Sequence, residues 1–404
     1  VYKRQVYTYL EEIYTGGTLN YTLDGTSKLQ YAYPSDPKTS YLTWETIATW
    51  NIGLDMSFLD SRLNFTGDYF IRDTEGMLGK SIVLPSVFGA KEPKENCADL
   101  RTKGWELSLG WNDSFALMGK RFNYTVSATL GDNLTEITKY NNSEKKLTDY
   151  YEGMKLGEIW GYRVDGLFAS DEEAAEYTSK INQDFVNARI LSDKVEPYYR
   201  AGDLKFRDLD GDNIISKGDD TAYDAGDREI IGNETPRYMY SFRLGADWNG
   251  IDLGIFFQGV GKRDWYPNYL STGFWGPYSR AFTSFIPENF MDQCWSEENP
   301  GGYFPRFRGY QTFKDSQLGV NNDRYLQDAS YIRLKNLTVG YTLPVLKKVF
   351  TKLRVYFTGE NLWYWSPMKK YTKYIDPEAA GGNDNTGMAY NYSRNFSVGV
   401  DITF

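Results

Sequence analysis

Trp50-Asn-Ile-Gly-Leu-Asp-Met-Ser-Phe58 decides the fold. Trp50, Ile52, Leu54, Met56 and Phe58 alternate with Asn51, Gly53, Asp55 and Ser57. Successive strand residues point to opposite faces, so a period of two predicts an extended strand with one apolar and one polar side. The same period recurs downstream of this stretch. It is carried by Leu63, Phe65, Tyr69 and Ile71, by Trp105 to Trp111, by Phe122 to Leu130 and by Tyr238 to Trp248. Ile251 to Phe257, Leu337 to Leu343, Leu353 to Phe357 and Phe396 to Phe404 complete a set of nine predicted strands.

A soluble sandwich also alternates, so two further features decide. Each apolar stripe covers roughly the 9–11 residues that a tilted strand needs to cross hydrocarbon. Aromatic residues also gather at stripe ends (Trp50, Trp105, Trp111, Tyr238, Trp248), where interfacial girdles belong. The predicted connections alternate short and long, with long loops near 77–100, 132–236, 261–328 and 363–392. That is the outer-membrane rule of tight periplasmic turns and long external loops. The expected fold is therefore all-β, the C-terminal portion of a large antiparallel transmembrane β-barrel. Residues 1–40 are expected to hold a partial upstream strand and an extracellular loop, and 41–404 the barrel strands. An odd strand number cannot close with both ends in the periplasm, and VYKRQVYTYL has no signal-peptide core. Earlier strands are thus expected upstream, and the opening residues are left uninterpreted.

Composition agrees. Tyr 34, Phe 23 and Trp 11 make 17% of the 404 residues aromatic, yet no run of 18 apolar residues occurs, which rules out a helical span. A mean hydropathy of −0.56 is compatible with strands of which only alternate residues face lipid. The net charge of −9 argues against a nucleic-acid partner, which needs a basic surface. With no histidine, the usual general base and zinc ligand are missing, and no nucleophile–base set points to an enzyme. Cys97 and Cys294, both in predicted external loops, are open to pairing or to remaining free.

Several stretches together resemble the C-terminal barrel of SusC-like TonB-dependent transporters. They are LTWETIATWNIGLDMSFLDSRLNFTGDYFIRDTEGML from Leu42, TKGWELSLGW from Thr102, GDLKFRDLDGDNIIS from Gly202 and IIGNETPRYMYSFRLGADWNGIDLGIFFQGVGKRDWY from Ile230. YIRLKNLTVGYTLP, LRVYFTGENLW, YIDPE and the terminal Phe404 follow in family order. The resemblance implies a plugged barrel of roughly 22 strands in outer-membrane lipid. It implies TonB-driven import of a large nutrient, an oligosaccharide before a peptide, under a SusD-like surface lipoprotein. The plug and the TonB contact are expected in the missing N-terminal region. A passive porin or adhesin barrel, or a secreted calcium-dependent carbohydrate-binding sandwich, are the rivals.

Two constellations are candidates for binding. Asp208, Asp210, Asp212, the carbonyl of Ile214 and Asp219 are spaced like a calcium loop, which suits a hard cation. Asn213 stands where such loops have glycine, and a plain Asp/Gly turn is the bland alternative. Trp265, Tyr266, Trp275 and Tyr278 crowd a predicted external loop and are candidates to stack on a sugar; packing within the loop is the alternative. Asp55, Asp68, Glu106, Arg243, Asp247, Asp252 and Arg354 are expected to face a watery interior, and Ser170 with Glu173 predicts a capped helix start.

Overall fold

In the computed structural model, residues 13–22, 25, 28–34, 39, 42–81, 87, 92–192, 196–282, 284, 286, 288–313, 316–344, 351–380 and 389–404 are described, and the opening VYKRQVYTYL lies outside them. Nine strands form one sheet, each hydrogen-bonded to the next in chain order. They are β1 (Thr46–Phe58), β2 (Leu63–Lys80), β3 (Lys94–Leu117), β4 (Lys120–Lys139) and β5 (Arg237–Trp248). β6 (Ile251–Lys262), β7 (Tyr331–Leu343), β8 (Lys352–Trp365) and β9 (Asn395–Thr403) complete it. The registers from β4 to β9 are all antiparallel.

The chain divides into two compact units. One comprises Val1–Trp50, Phe70–Lys103 and Leu134–Lys155; the other comprises Asn51–Tyr69, Gly104–Asn133 and Leu156–Phe404. In the larger unit the predicted stripes align into rows. Tyr124, Ala246, Leu253, Val339, Phe357 and Val398 lie opposite one another across six strands, and Phe122, Trp248, Ile251, Tyr341, Val355 and Val400 form the next row. A sandwich would bury this face beneath a second sheet. Here Ile52 is 59% exposed and Val398 76%, and Leu54, Ile251, Val339, Val355, Val400 and Ile402 are exposed with them. No helix among the described residues is long and apolar enough to cross a membrane.

The strands run further than alternation predicted. β2 continues to Lys80 and β3 begins at Lys94, so the connection expected over 77–100 shrinks. β3 also runs to Leu117, and Met118-Gly119 turns directly into β4. The apolar alternation ends before the backbone ladder does. Met118 and Gly119 have φ of 51° and 75°, and Asn249 and Gly250 49° and 86°. Both pairs show the left-handed φ values of the two-residue hairpin turn that matches strand twist.

A bulge interrupts β7. The register with β6 passes from Phe256↔Asn336 to Phe257↔Leu334, leaving Lys335 as the extra residue. It explains why the apolar phase of Leu337–Leu343 does not extend back through Arg333.

The remaining chain is organised locally. Ile13–Thr22 pairs with Lys28–Pro34 as a separate antiparallel hairpin. In the smaller unit Arg101 bonds Asp73 at 2.7 Å, Lys80 bonds Asp149 at 2.8 Å, and Ile137 is buried. Helix Asp171–Lys180 starts as predicted, with Ser170 Oγ accepting from Glu173 N–H at 3.2 Å and Glu173 Oε2 from Ala169 N–H at 2.7 Å.

Val398→Arg places a cation in the middle of the exposed apolar row. It is expected to cost about 2–4 kcal/mol on folding into a bilayer, whereas Ser397→Arg, on the polar side, is expected to cost much less. Urea titrations of the full-length barrel in lipid vesicles check the difference, and equal losses would overturn the assignment of faces.

Candidate functional site

The polar side of the sheet is built from the residues between the stripes. Thr125, Gly245, Gly254, Thr338, Thr358 and Ser397 form one row, and Asn123, Asp247, Asp252, Gly340 and Tyr356 another. Asn123 Nδ2 donates to Asp247 at 2.7 Å, and Thr66 Oγ1 to Asp55 at 2.7 Å. Arg354 binds Asp252 through two hydrogen bonds (2.8 and 2.6 Å) and reaches Asp401 at 3.0 Å. Arg243 lies 5.3 Å from the ring centre of Phe256. Asp68 stands against Gly53, where a Cβ would meet Asp68 Oδ1 at 2.6 Å, whereas a Cβ at Gly131 would meet Glu106 Cγ at an ordinary packing distance of 3.5 Å. Of the residues expected to face the interior, the structure thus joins Asp252 to Arg354. Of the others, Asp55 and Asp247 hold separate polar partners, Arg243 lies over the Phe256 ring, and Asp68 and Glu106 stand against glycines of a neighbouring strand.

Towards the loops this face deepens into a cavity of about 440 Å³, lined by Thr129, Ser241, Gln258, Arg263, Tyr331 and Glu378 among others. Thr129, Ser241, Gln258 and Arg333 fall on one row, and the Thr129 and Ser241 hydroxyls are 2.7 Å apart. Arg333 is buried against Asp376. Its Nε lies 3.1 Å from Glu378 Oε2 without the alignment of a hydrogen bond. Lys335, turned by the bulge, donates to both Glu378 oxygens at 2.8 and 2.9 Å. Burying a guanidinium is tolerable only with such pairing. Sequence reading assigned these residues no role. The signals available were the phase break at Arg333–Lys335 and two carboxylates in YIDPE.

Trp265, Tyr266, Trp275 and Tyr278 lie elsewhere, together in the core of the loops. Trp275 and Tyr278 are wholly buried, packed with Phe274, Phe304 and Tyr325. Their polar atoms find backbone partners inside: Trp275 Nε1 donates to the Pro267 and Asn268 carbonyls (3.2 and 3.1 Å), Tyr266 Oη to Val320 (2.8 Å), and Tyr278 Oη to Pro305 (2.5 Å). Burial pushes the Tyr266 and Tyr278 phenols well above their usual range. In this arrangement the rings face one another. The sequence showed an aromatic cluster but not the Phe304 and Tyr325 segments that cover it.

The acidic loop adopts part of the expected geometry. Asn213 takes φ 68°, the left-handed conformation required at the turn position. Asp208 Oδ1 and Oδ2 accept from Gly211 and Asn213 N–H (2.7 and 2.9 Å). The carboxylates that converge are Asp208, Asp210 and Asp227, with oxygens within 4.8 Å of one another. Asp227, absent from the sequence set, is buried; that burial, reinforced by Asp210 and Asp208, raises its pKa. Asp212 and Asp219 stand outside the group. Asp212 Oδ1 accepts from Ile214 N–H at 2.7 Å, the Asp219 N–H donates to Asp224 at 3.2 Å, and Ile214 forms a bridge with Asn182. Three oxygen donors suit calcium in kind, as part of the six to eight it takes. Cys97 and Cys294 are both buried and free.

No family model matches the chain. TonB-dependent receptor P3 of Formosa agariphila is 27% identical over 413 residues, which cover 95% of this chain and 36% of the receptor. TonB-dependent receptor SusC of Bacteroides thetaiotaomicron is 25% identical over 389 residues, 93% of this chain and 34% of SusC. The chain resembles SusC-like TonB-dependent receptors over nearly its whole length. It spans about a third of the length of these curated relatives. In fold it matches the RagAB peptide transporter with a TM-score of 0.67 at 21% identity, covering 98% of this chain and 39% of that one. The RagAB peptide importer in its closed-closed state gives 0.68. The nine-stranded sheet is thus a portion of a large antiparallel β-barrel, similar in sequence to that of SusC and in fold to that of RagAB.

Trp275→Ala is expected to cost about 3–5 kcal/mol in the loop core, seen as faster proteolysis within 263–330 while the barrel stays folded; unchanged proteolysis would count against packing. If Asp208, Asp210 and Asp227 hold calcium, millimolar calcium should raise the melting temperature and Asp227→Asn should remove the rise. Identical melting in calcium and in chelator would end that reading.

Proposed function

We propose that the full-length protein is an outer-membrane, TonB-dependent importer of a large nutrient, working beneath a SusD-like surface lipoprotein. The observation carrying this reading is the two-sided sheet. Apolar rows are exposed in register across six strands, and the opposite rows hold Thr, Ser, Asn, Asp and Arg. Apolar side chains facing outward suit only a lipid surround, and a polar opposite side suits a bore that water and solutes enter. The SusC-like resemblance supports energy coupling through TonB and a lipoprotein lid.

An oligosaccharide is the proposed cargo. A peptide is the second reading, favoured by fold neighbours that are named peptide importers. In the transporter we assign calcium at Asp208, Asp210 and Asp227 a structural place within the loops. Trp265 and Trp275 would then serve uptake by holding the loop core together rather than by stacking on cargo.

Uptake of labelled oligosaccharides and peptides should occur in cells carrying the full-length gene and should stop when tonB is deleted. Uptake that continues without TonB would identify a passive porin instead.

A further inference from the structure

The cavity at the loop end of the polar face is lined by a cation, Arg263, that enters no ion pair among the described residues. Arg263 follows β6 directly and lines the cavity. Its Nε donates to the Glu234 carbonyl at 3.2 Å and one terminal nitrogen to the Pro377 carbonyl at 3.3 Å, both long bonds to neutral acceptors. Arg333, Arg354 and Arg308 each meet a carboxylate oxygen, whereas Arg263 enters no ion pair among the described residues. Burial lowers its pKa, partly offset by the Glu234 carboxylate and Tyr331. Two of the five guanidinium N–H groups are engaged, which leaves three for a further acceptor.

The walls select the kind of acceptor. Glu378 also lines the cavity, but Lys335 takes both its oxygens and Arg333 lies against one, so its charge is balanced from behind. Ser241, Thr129 and Gln258 add two hydroxyls and an amide, while Met239, Phe256, Val260 and Pro236 supply apolar wall. A planar anion fits this set, because a guanidinium fork meets a carboxylate through two parallel hydrogen bonds and neutral donors complete its shell.

We propose that this cavity is a subsite for a carboxylate group of the imported solute, held by Arg263 with Gln258 and Ser241. The proposal rests on the import reading for the origin of its ligand. The carboxylate comes either from an acidic sugar or from the end of a peptide, and both present the same two oxygens.

Binding to the full-length protein in detergent, where TonB plays no part, tests it with two matched pairs. These are trigalacturonic acid against its methyl ester, and tetra-alanine against its C-terminal amide. In one pair the charged form should bind roughly ten- to a hundred-fold tighter than the neutral form, and that pair names the source. Arg263→Gln should abolish the preference for the charged form, while Arg263→Lys should retain part of it. Should Arg263→Gln fail to fold, Gln258→Leu takes its place and should reduce the preference several-fold. The proposal is overturned if neither pair shows a preference in the wild type, if Arg263→Gln weakens both forms equally, or if Gln258→Leu changes nothing. A preference in detergent together with TonB-independent uptake would sink the import reading and leave the subsite standing.

Discussion

Hydrocarbon offers a peptide group no hydrogen-bond partner, so a chain lying in it must satisfy every backbone N–H and C=O from within. The long ladders of this sheet do that, and most other features follow from it. With the backbone extended, side chains are forced into a period of two. One set meets lipid and the other is left to face water. Two of the connections at one end, Met118-Gly119 and Asn249-Gly250, are reduced to two residues, because that turn geometry continues the strand twist without leaving ladder positions open.

Burial is accordingly inverted relative to a water-soluble protein. The buried hydrophobic residues of the larger unit are concentrated in the connections rather than between sheets. Tyr162, Phe206, Trp275, Phe304 and Tyr325 close around one another in segments far apart in sequence. Long connections of this kind lose much conformational freedom on ordering. An aromatic core and buried pairs such as Arg308 with Asp203 stabilise them against that loss.

The sheet was largely legible because alternation is a local property. Trp50–Phe58 and Asn395–Phe404 each declare their two faces without reference to any partner. What escaped was whatever depends on distant chain. Strand ends past the apolar stripe leave no hydrophobic mark, so Lys80 and Leu117 were placed in connections. The carboxylate Asp227 sits beside Asp208 and Asp210 only because the loop between them folds back, and no spacing rule anticipates it. The four loop aromatics were visible as a cluster, yet whether a ring faces solvent or a neighbour depends on Phe274, Phe304 and Tyr325. The family resemblance covered the same stretches and left those neighbours unassigned.

The bulge at Lys335 also has a mechanical meaning. By bringing Arg333 and Lys335 of β7, with Leu334 between them, towards Asp376 and Glu378, it rivets the final long connection to the wall strand. Parting Arg333 from Asp376 would strand an unmatched charge in a dry setting, which costs several kcal/mol. That stretch of the connection is therefore pinned to β7 by charges that neither side can give up separately.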